Sequence, residues 1–219
     1  MDTSGSNLAL YERLFVLYGE QHWWPCKSGC RWEIITGAVL TQNTAWTNVE
    51  KALARLEDAG IGTPEQILAI PEEELQEYIR PAGFFKQKSV YLKAVAEFVI
   101  RNEQTLLNSG DVWSLRKQLL QVRGVGRETA DSILLYAFHK PVFVIDAYTR
   151  RVAERHLQWD GTVHYDVLQQ KFMESLPADV KLYQEYHALL VALCKESCRK
   201  QDCGEMCKRL PVISDRKEK

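Results

Sequence analysis

Asp146 is the residue whose surroundings most suggest chemistry. It follows the apolar run Phe143-Val144-Ile145 and opens a helical pattern, AYTRRV, so its carboxylate is held at the mouth of a helix by a stiff apolar run. A carboxylate so held stabilises developing positive charge and orients or activates water. The position also suits a plain cap on the helix that starts at Ala147, and the two roles are compatible. Upstream, LLQVRGVGRETAD sets Gly124-Val125-Gly126 between two helical patterns, bracketed by Arg123 and Arg127. Glycines leave their N–H groups uncovered and reach backbone angles closed to other residues. At a helix N-terminus such N–H groups form a pocket for a phosphate oxygen. Taken alone, the turn is equally an ordinary helical hairpin.

The elements that must position these groups are helical. Apolar spacing predicts helices over Leu8–Tyr18, Arg31–Leu40, Ala45–Glu57, 88–101, Val163–Leu176 and Ala178–Cys198. Thr63-Pro64-Glu65 is a helix start, Pro71 before three glutamates another, and Asp111 caps the helix entering the hairpin. Pro25 disfavours helix at Trp24, which makes HWWPCKSGC a loop whose indoles either pack in the core or line a pocket. The 219 residues carry a net charge of −1, 46% hydrophobic and 26% charged residues, ordinary for a globular protein and no signature of a nucleic-acid binder. The distribution says more. Glu57 to Glu77 holds seven acidic residues and no Lys or Arg, while Arg80 to Arg101 holds five basic residues against one acidic. Such asymmetry lets one face meet phosphates. No apolar run approaches a membrane span and MDTSGSNLALYERL lacks a signal-peptide pattern, so the expected compartment is the cytoplasm, on the nucleoid if bacterial.

GVGRETAD together with VIDAYTRRV resembles the helix-hairpin-helix DNA glycosylase superfamily, its endonuclease III group in particular, from Trp23 to about Cys207. The resemblance implies an all-α fold with two helical lobes and a DNA-binding cleft between them. Residues 31–135, with the hairpin 119–138, form one lobe, and 1–30 with 136–219 the other. It implies a base-excision-repair enzyme, a monomer, that acts on double-stranded DNA containing damaged bases. The base is flipped out and its N-glycosidic bond hydrolysed through an oxocarbenium-like transition state, with Asp146 as catalytic carboxylate. Lyase members attack the sugar with a lysine two residues beyond the second hairpin glycine. Glu128 stands there, and glutamate cannot form the imine, so the expected enzyme is monofunctional. Glu128, the Trp23-Trp24-Pro25 segment and Trp46 together resemble 3-methyladenine DNA glycosylases of the endonuclease III type, where such residues wall the base pocket. N-alkylated purines are cationic, leave readily, and are attracted to indole faces.

The same resemblance assigns DNA contacts. The turn with Gln42 and Asn43, in GAVLTQNTAW, enters the minor groove, and Gln42 fills the space the flipped base leaves; Thr41, Asn43 or Thr44 could equally cap a helix. Phe84, in IRPAGFFKQKSVYL, is the intercalating wedge, with Lys86 and Lys88 on phosphates; packing of both rings in the core is the alternative. Arg123, Gly124, Val125, Gly126 and Arg127 grip the backbone. Tyr186 and His187, in EYHALL, read as packing residues joining the last helix to the N-terminal segment.

Cys194, Cys198, Cys203 and Cys207 crowd one segment. Many members of the resembled family hold a [4Fe–4S] cluster there with spacing C-x6-C-x2-C-x5-C, whereas this chain has C-x3-C-x4-C-x3-C. Iron–sulfur ligation comes first, tetrahedral zinc second, and a degenerate site without metal third. Lys195, Arg199, Lys200, Lys208 and Arg209 would then approach phosphate. Cys26 and Cys30 read as free thiols. Two other functions stay open: a glycosylase for oxidised pyrimidines or mismatched bases, and a non-catalytic hairpin protein that grips distorted duplex.

Overall fold

The computed structural model describes residues 4–25 and 30–210. Cys26 and the side chain of Arg209 lie outside that set; Cys30 is an exposed free thiol. In chain order the helices are α1 (Ser4–Tyr18), α2 (Arg31–Leu40), α3 (Trp46–Asp58), α4 (Pro64–Ala69), α5 (Glu72–Ile79) and α6 (Phe85–Asn108). They continue as α7 (Val112–Leu119), α8 (Arg127–Ser132), α9 (Ala147–His156), α10 (Tyr165–Glu174), α11 (Val180–Glu196) and α12 (Glu205–Arg209). A 3-10 turn, Arg80–Ala82, precedes α6 and a π turn, Ile133–Ala137, extends α8. Among the described residues there is no strand, only an isolated antiparallel bridge between Cys198 and Cys203. None of the helices is long and apolar enough to cross a membrane. The chain divides into two compact units, Met1–Trp23 with Pro141–Lys219, and Trp24–Lys140.

In the unit Trp24–Lys140, local chemistry sets the helix starts. Thr63 and Gln66 form a reciprocal capping box with Pro64 in the first turn, and Asp111 caps α7 by accepting from the Ser114 N–H at 3.0 Å. Helix α6 is longer at both ends than the expected 88–101. Its apolar stripe thins to a solvated face after Val99, but buried Leu106 anchors the last turn. Between α7 and α8, Arg116 and Asp131 form a buried bidentate pair, Nε to Oδ1 at 2.7 Å and Nη2 to Oδ2 at 3.2 Å. Nothing in the apolar spacing foretells this pair; it ties the two helices of the hairpin together.

Helix α8 widens into the π turn, where Phe138 N donates to Ile133 O at 3.3 Å. His139 then takes the left-handed conformation (φ 51°) that glycine usually supplies at a helix end, and Lys140 N reaches back to Leu134 O at 2.9 Å. Arg31 Nε donates to Ala137 O at 3.0 Å, so α2 accommodates one freed carbonyl. Single π turns recur at functional positions in helices, and this one carries Tyr136.

In the other unit, residues 141–145 belong to no helix or strand, and 142–145 are buried. Side chains supply the missing hydrogen bonds: Gln169 Nε2 donates to Phe143 O at 2.6 Å, and Ile145 N donates to the Tyr165 hydroxyl at 3.1 Å. Phe143 stacks on Phe172 at 4.7 Å, with Tyr183 and Tyr186 edge-on. Tyr186 donates to Asn7 Oδ1 at 2.7 Å, and Asn7 Nδ2 to Ser175 Oγ at 2.8 Å, so Tyr186 does join α11 to α1. The run is thus held by side chains of α10 and α11, and Asp146 follows it directly.

Candidate active site and metal centre

Asp146 caps α9, its Oδ1 accepting from the Thr149 N–H at 2.7 Å. Its Oδ2 lies 3.6 Å from His187 Nε2, with the aspartate side chain 14% exposed and the histidine 7%. Burial works to raise the Asp146 pKa, but the hydrogen bond and charge of His187 and the Thr149 N–H outweigh it, leaving the carboxyl below its ordinary value. It is therefore ionised at neutral pH. His187, expected to be a packing residue, instead faces the carboxylate. A lone helical histidine carries no sequence signal of its partner, because α11 and α9 meet only in the fold.

In the unit Trp24–Lys140, Gly124 has φ 84°, and a Cβ there would sit 2.1 Å from the Tyr91 ring. Glycine is thus required twice, by conformation and by the ring lying on it. Gly126 has an ordinary extended backbone and open space where a side chain would be. Gly124→Ala should destabilise the protein by about 1–2 kcal/mol from conformation alone, and by more once Tyr91 is displaced; urea melts of Gly124→Ala and Gly126→Ala measure the contrast. Arg123, Arg127 and Glu128 are exposed around the turn, and Val125 is buried beneath it. Gln42 lies against this turn: Nε2 donates to Gly124 O and to Thr129 Oγ1, each at 2.9 Å. Both bonds are donated by the amide nitrogen, which fixes the side chain against the turn. Asn43, exposed, takes the left-handed conformation (φ 52°) that asparagine tolerates.

Phe84 is 63% exposed and sits in the left-handed region (φ 47°, ψ 30°). That conformation is costly for an aromatic residue, and strain of this kind gathers at functional positions. Its neighbour Phe85 is half-buried under the Arg80 guanidinium, so neither ring belongs to the core. Lys88 corrects an expectation. It is no surface phosphate contact: it is 2% exposed, and Nζ donates to Leu40 O and to Ala82 O, each at 2.8 Å. Burial pushes its pKa down to about 8. The cation satisfies the end of α2 and the turn before Phe84, holding the Gln42 and Phe84 turns in place. Lys88→Met should cost about 1.5–3 kcal/mol, the worth of hydrogen bonds to a charged group, and should leave the salt slope of DNA binding unchanged. A phosphate contact would instead reduce that slope by about 1.

Trp24 and Trp46 meet edge to face at 5.3 Å, and Tyr136 packs against Trp24 at 5.2 Å. Gly37 makes room for this, since a Cβ there would lie 3.1 Å from the Trp24 ring. Tyr136 is the member the sequence did not announce. Trp23 belongs to the other unit, where Lys195 Nζ lies 5.5 Å from its ring. Exposed Pro25 borders a separate cavity of about 280 Å³ among Trp32, Thr36, Leu53, Ala54 and Ile61.

The cysteine segment folds back on α9. Arg151 donates to Cys198 O at 2.8 Å, and Arg155 to Arg199 O at 2.8 Å and Lys200 O at 3.1 Å. Arg155 Nη1 also lies 3.5 Å from Cys198 Sγ and 3.3 Å from Cys203 Sγ. Buried His156 places Nε2 3.0 Å from Cys207 Sγ. The Cys198 thiol is pulled below the ordinary thiol range, first by its contact with Cys194 and then, against burial, by His156 and Arg155. Cys198, Cys203, Cys207 and His156 form a cluster of soft donors of the kind that holds a metal. Lys195, Arg199, Lys200 and Lys208 are exposed on this segment, Lys208 paired with Glu205.

The fold and these residues define the class. The HhH-GPD superfamily of base excision DNA repair proteins matches residues 36–178, and the chain belongs to that superfamily. It is a base-excision-repair DNA glycosylase of the endonuclease III-like type. A Methanocaldococcus jannaschii protein provisionally named a DNA repair glycosylase is 43% identical over 90% of this chain and 91% of its own length. Endonuclease III of Thermotoga maritima is 26% identical over 77% and 75% of the two chains. Among solved structures, an H. pylori 3-methyladenine DNA glycosylase bound to 1,N6-ethenoadenine superposes with TM-score 0.74 at 28% identity, covering 90% of this chain and 98% of that one. An endonuclease III–DNA complex superposes with TM-score 0.79 at 21% identity, covering 97% and 94%, which bears on the fold alone.

Proposed function

We propose that this protein is a monofunctional glycosylase that removes alkylated purines from double-stranded DNA. The observation that carries the reaction is Asp146: ionised, nearly buried, capped and faced by His187. Such a carboxylate stabilises the oxocarbenium-like sugar and orients the attacking water. Glu128, exposed in the first turn of α8, occupies the lyase lysine's place and cannot form a Schiff base. The aromatic group of Trp24, Trp46 and Tyr136 supports the substrate class, because an N-alkylated purine is a cationic ring drawn to electron-rich faces. The H. pylori relative, with its bound ethenoadenine, supports it too. Phe84, Gln42 and the hairpin turn act in the DNA contact: Phe84 as wedge, Gln42 in the gap, Arg123 and Arg127 on phosphates.

The cysteine segment holds a thiophilic group. Its donors fit one, since sulfurs and an imidazole converge with a guanidinium beside them to offset thiolate charge. An iron–sulfur cluster is the first reading and zinc the second. When bound, the group supplies rigidity and no chemistry: it pins the end of α9, the helix whose other end carries Asp146.

The test is base release across a panel of lesion duplexes. The expected result is release of 3-methyladenine or 7-methylguanine, an intact abasic strand, and no covalent product with borohydride. A borohydride-trapped complex sinks the monofunctional reading. Release of thymine glycol in preference to methylated purines favours the second reading, an enzyme for oxidised pyrimidines.

A further inference from the structure

His156 lies at the last turn of α9, 3% exposed, remote in sequence from the cysteines it touches. Its Nε2 and the sulfurs of Cys198 and Cys207 all lie within 4.8 Å of one another. That is close to the size of one coordination sphere: zinc–sulfur bonds of about 2.3 Å and zinc–nitrogen bonds of about 2.0 Å set tetrahedral corners roughly 3.5–3.8 Å apart. Neither Cys194 nor Cys203 is in that mutually close set, but the two differ in their surroundings. The antiparallel bridge sets Cys203 beside Cys198, and one Arg155 nitrogen touches both sulfurs, at 3.5 and 3.3 Å. Cys194, within α11, contacts Cys198 and directs its thiol at the Tyr148 carbonyl, 3.7 Å from Sγ, whereas Cys203 contacts Cys207.

We infer that His156 is a metal ligand, completing a Cys198, Cys203, Cys207 and His156 set with Cys194 outside the coordination sphere. The inference rests on the reading of this segment as a metal centre. It accounts for two features at once. The departure from C-x6-C-x2-C-x5-C no longer has to be absorbed by unwinding the end of α11, because the fourth donor comes from α9. Charge also stays low: three thiolates and a neutral imidazole around a divalent ion leave one negative charge, with the Arg151 and Arg155 guanidinium groups on the segment, where four thiolates would leave two. Among the described residues His156 Nδ1 has no hydrogen-bond partner, so the ring's direction is set on its sulfur side.

The experiment uses full-length protein purified anaerobically, with iron, zinc and acid-labile sulfide measured per chain and the absorption spectrum recorded. Wild type, Cys194→Ser, His156→Ala, His156→Cys and Cys207→Ser are compared. Cys194→Ser should keep wild-type metal content and spectrum. His156→Ala and Cys207→Ser should each weaken metal retention against a chelator by more than about tenfold, the loss that even an outer-shell change produces. His156→Cys, which puts a thiolate in place of the imidazole, should keep the metal and shift the spectrum, and it serves if His156→Ala fails to fold. Sulfide with iron identifies a cluster; zinc without sulfide identifies a mononuclear site. Loss of metal from Cys194→Ser with retention in His156→Ala overturns the inference and leaves the metal centre standing. Wild-type protein that neither carries zinc or iron nor takes them up on reconstitution overturns both.

Discussion

Asp146→Asn should lower single-turnover base release by about 10²–10⁴-fold, the range a positioned acid–base group supplies, while DNA affinity and stability stay near wild type. Stability survives because asparagine caps helices as well as aspartate does, and its side-chain oxygen can still accept from the Thr149 N–H. What is lost is the negative charge that the proposed mechanism sets against the sugar. Asp146→Ala would add a capping loss of about 0.5–2 kcal/mol, which is why Asn is the cleaner variant. If Asp146→Asn binds duplex and releases base at the wild-type rate, the catalytic assignment is wrong. The pH dependence follows from the same contacts. The folded-state pKa of Asp146 lies below its ordinary value, so its contribution to stability is present above the unfolded carboxyl pKa of about 3.9 and is lost as pH falls through the lower, folded value. Base release should therefore hold its plateau down to acid pH. His187→Leu removes the histidine beside Oδ2 and leaves burial to act, which should move the acid limb of the pH–rate profile upward. An unmoved limb would show that His187 does not hold the carboxylate in its ionised form.

Asp131→Asn should be the most destabilising single change in the hairpin, by about 3–5 kcal/mol, because it strands the Arg116 guanidinium in the interior without its counter-charge. Both partners are nearly or wholly buried, at 9% and 0% exposure, so water cannot replace the lost carboxylate. Urea denaturation reads the loss directly. The double variant Arg116→Met with Asp131→Leu should recover much of it, since apolar residues of similar volume replace a buried pair with little penalty. A double variant no more stable than Asp131→Asn would mean that the pair itself, not the stranded charge, holds α7 against α8.

How far each feature could be read from the chain depends on the range of the interaction behind it. Helix positions follow from residues three and four apart, and caps from residues adjacent to the helix start. So the all-helical class, the Thr63 and Asp111 caps and the place of Asp146 at the start of α9 were open to inspection. The resemblance carried by GVGRETAD and VIDAYTRRV added the superfamily. The errors came where side chains act at long range. Lys88 stood in a basic stretch and looked like a surface cation, yet its stem runs inward and its ammonium finds the carbonyls of Leu40 and Ala82. His187 read as packing between its helix and the N-terminal segment; it is buried, and the carboxylate it faces starts α9.

The places of Asp146 and Gly124 were thus determined by sequence alone, because a helix mouth and a left-handed turn are local requirements that few residue types meet. The partners were decided by tertiary structure. His187 beside Asp146, Arg116 against Asp131, Tyr136 against Trp24 and His156 against Cys207 each join segments that have no sequence proximity. Charge and hydrogen-bond complementarity at such distances depends on where the helices pack, and packing is set by the whole core.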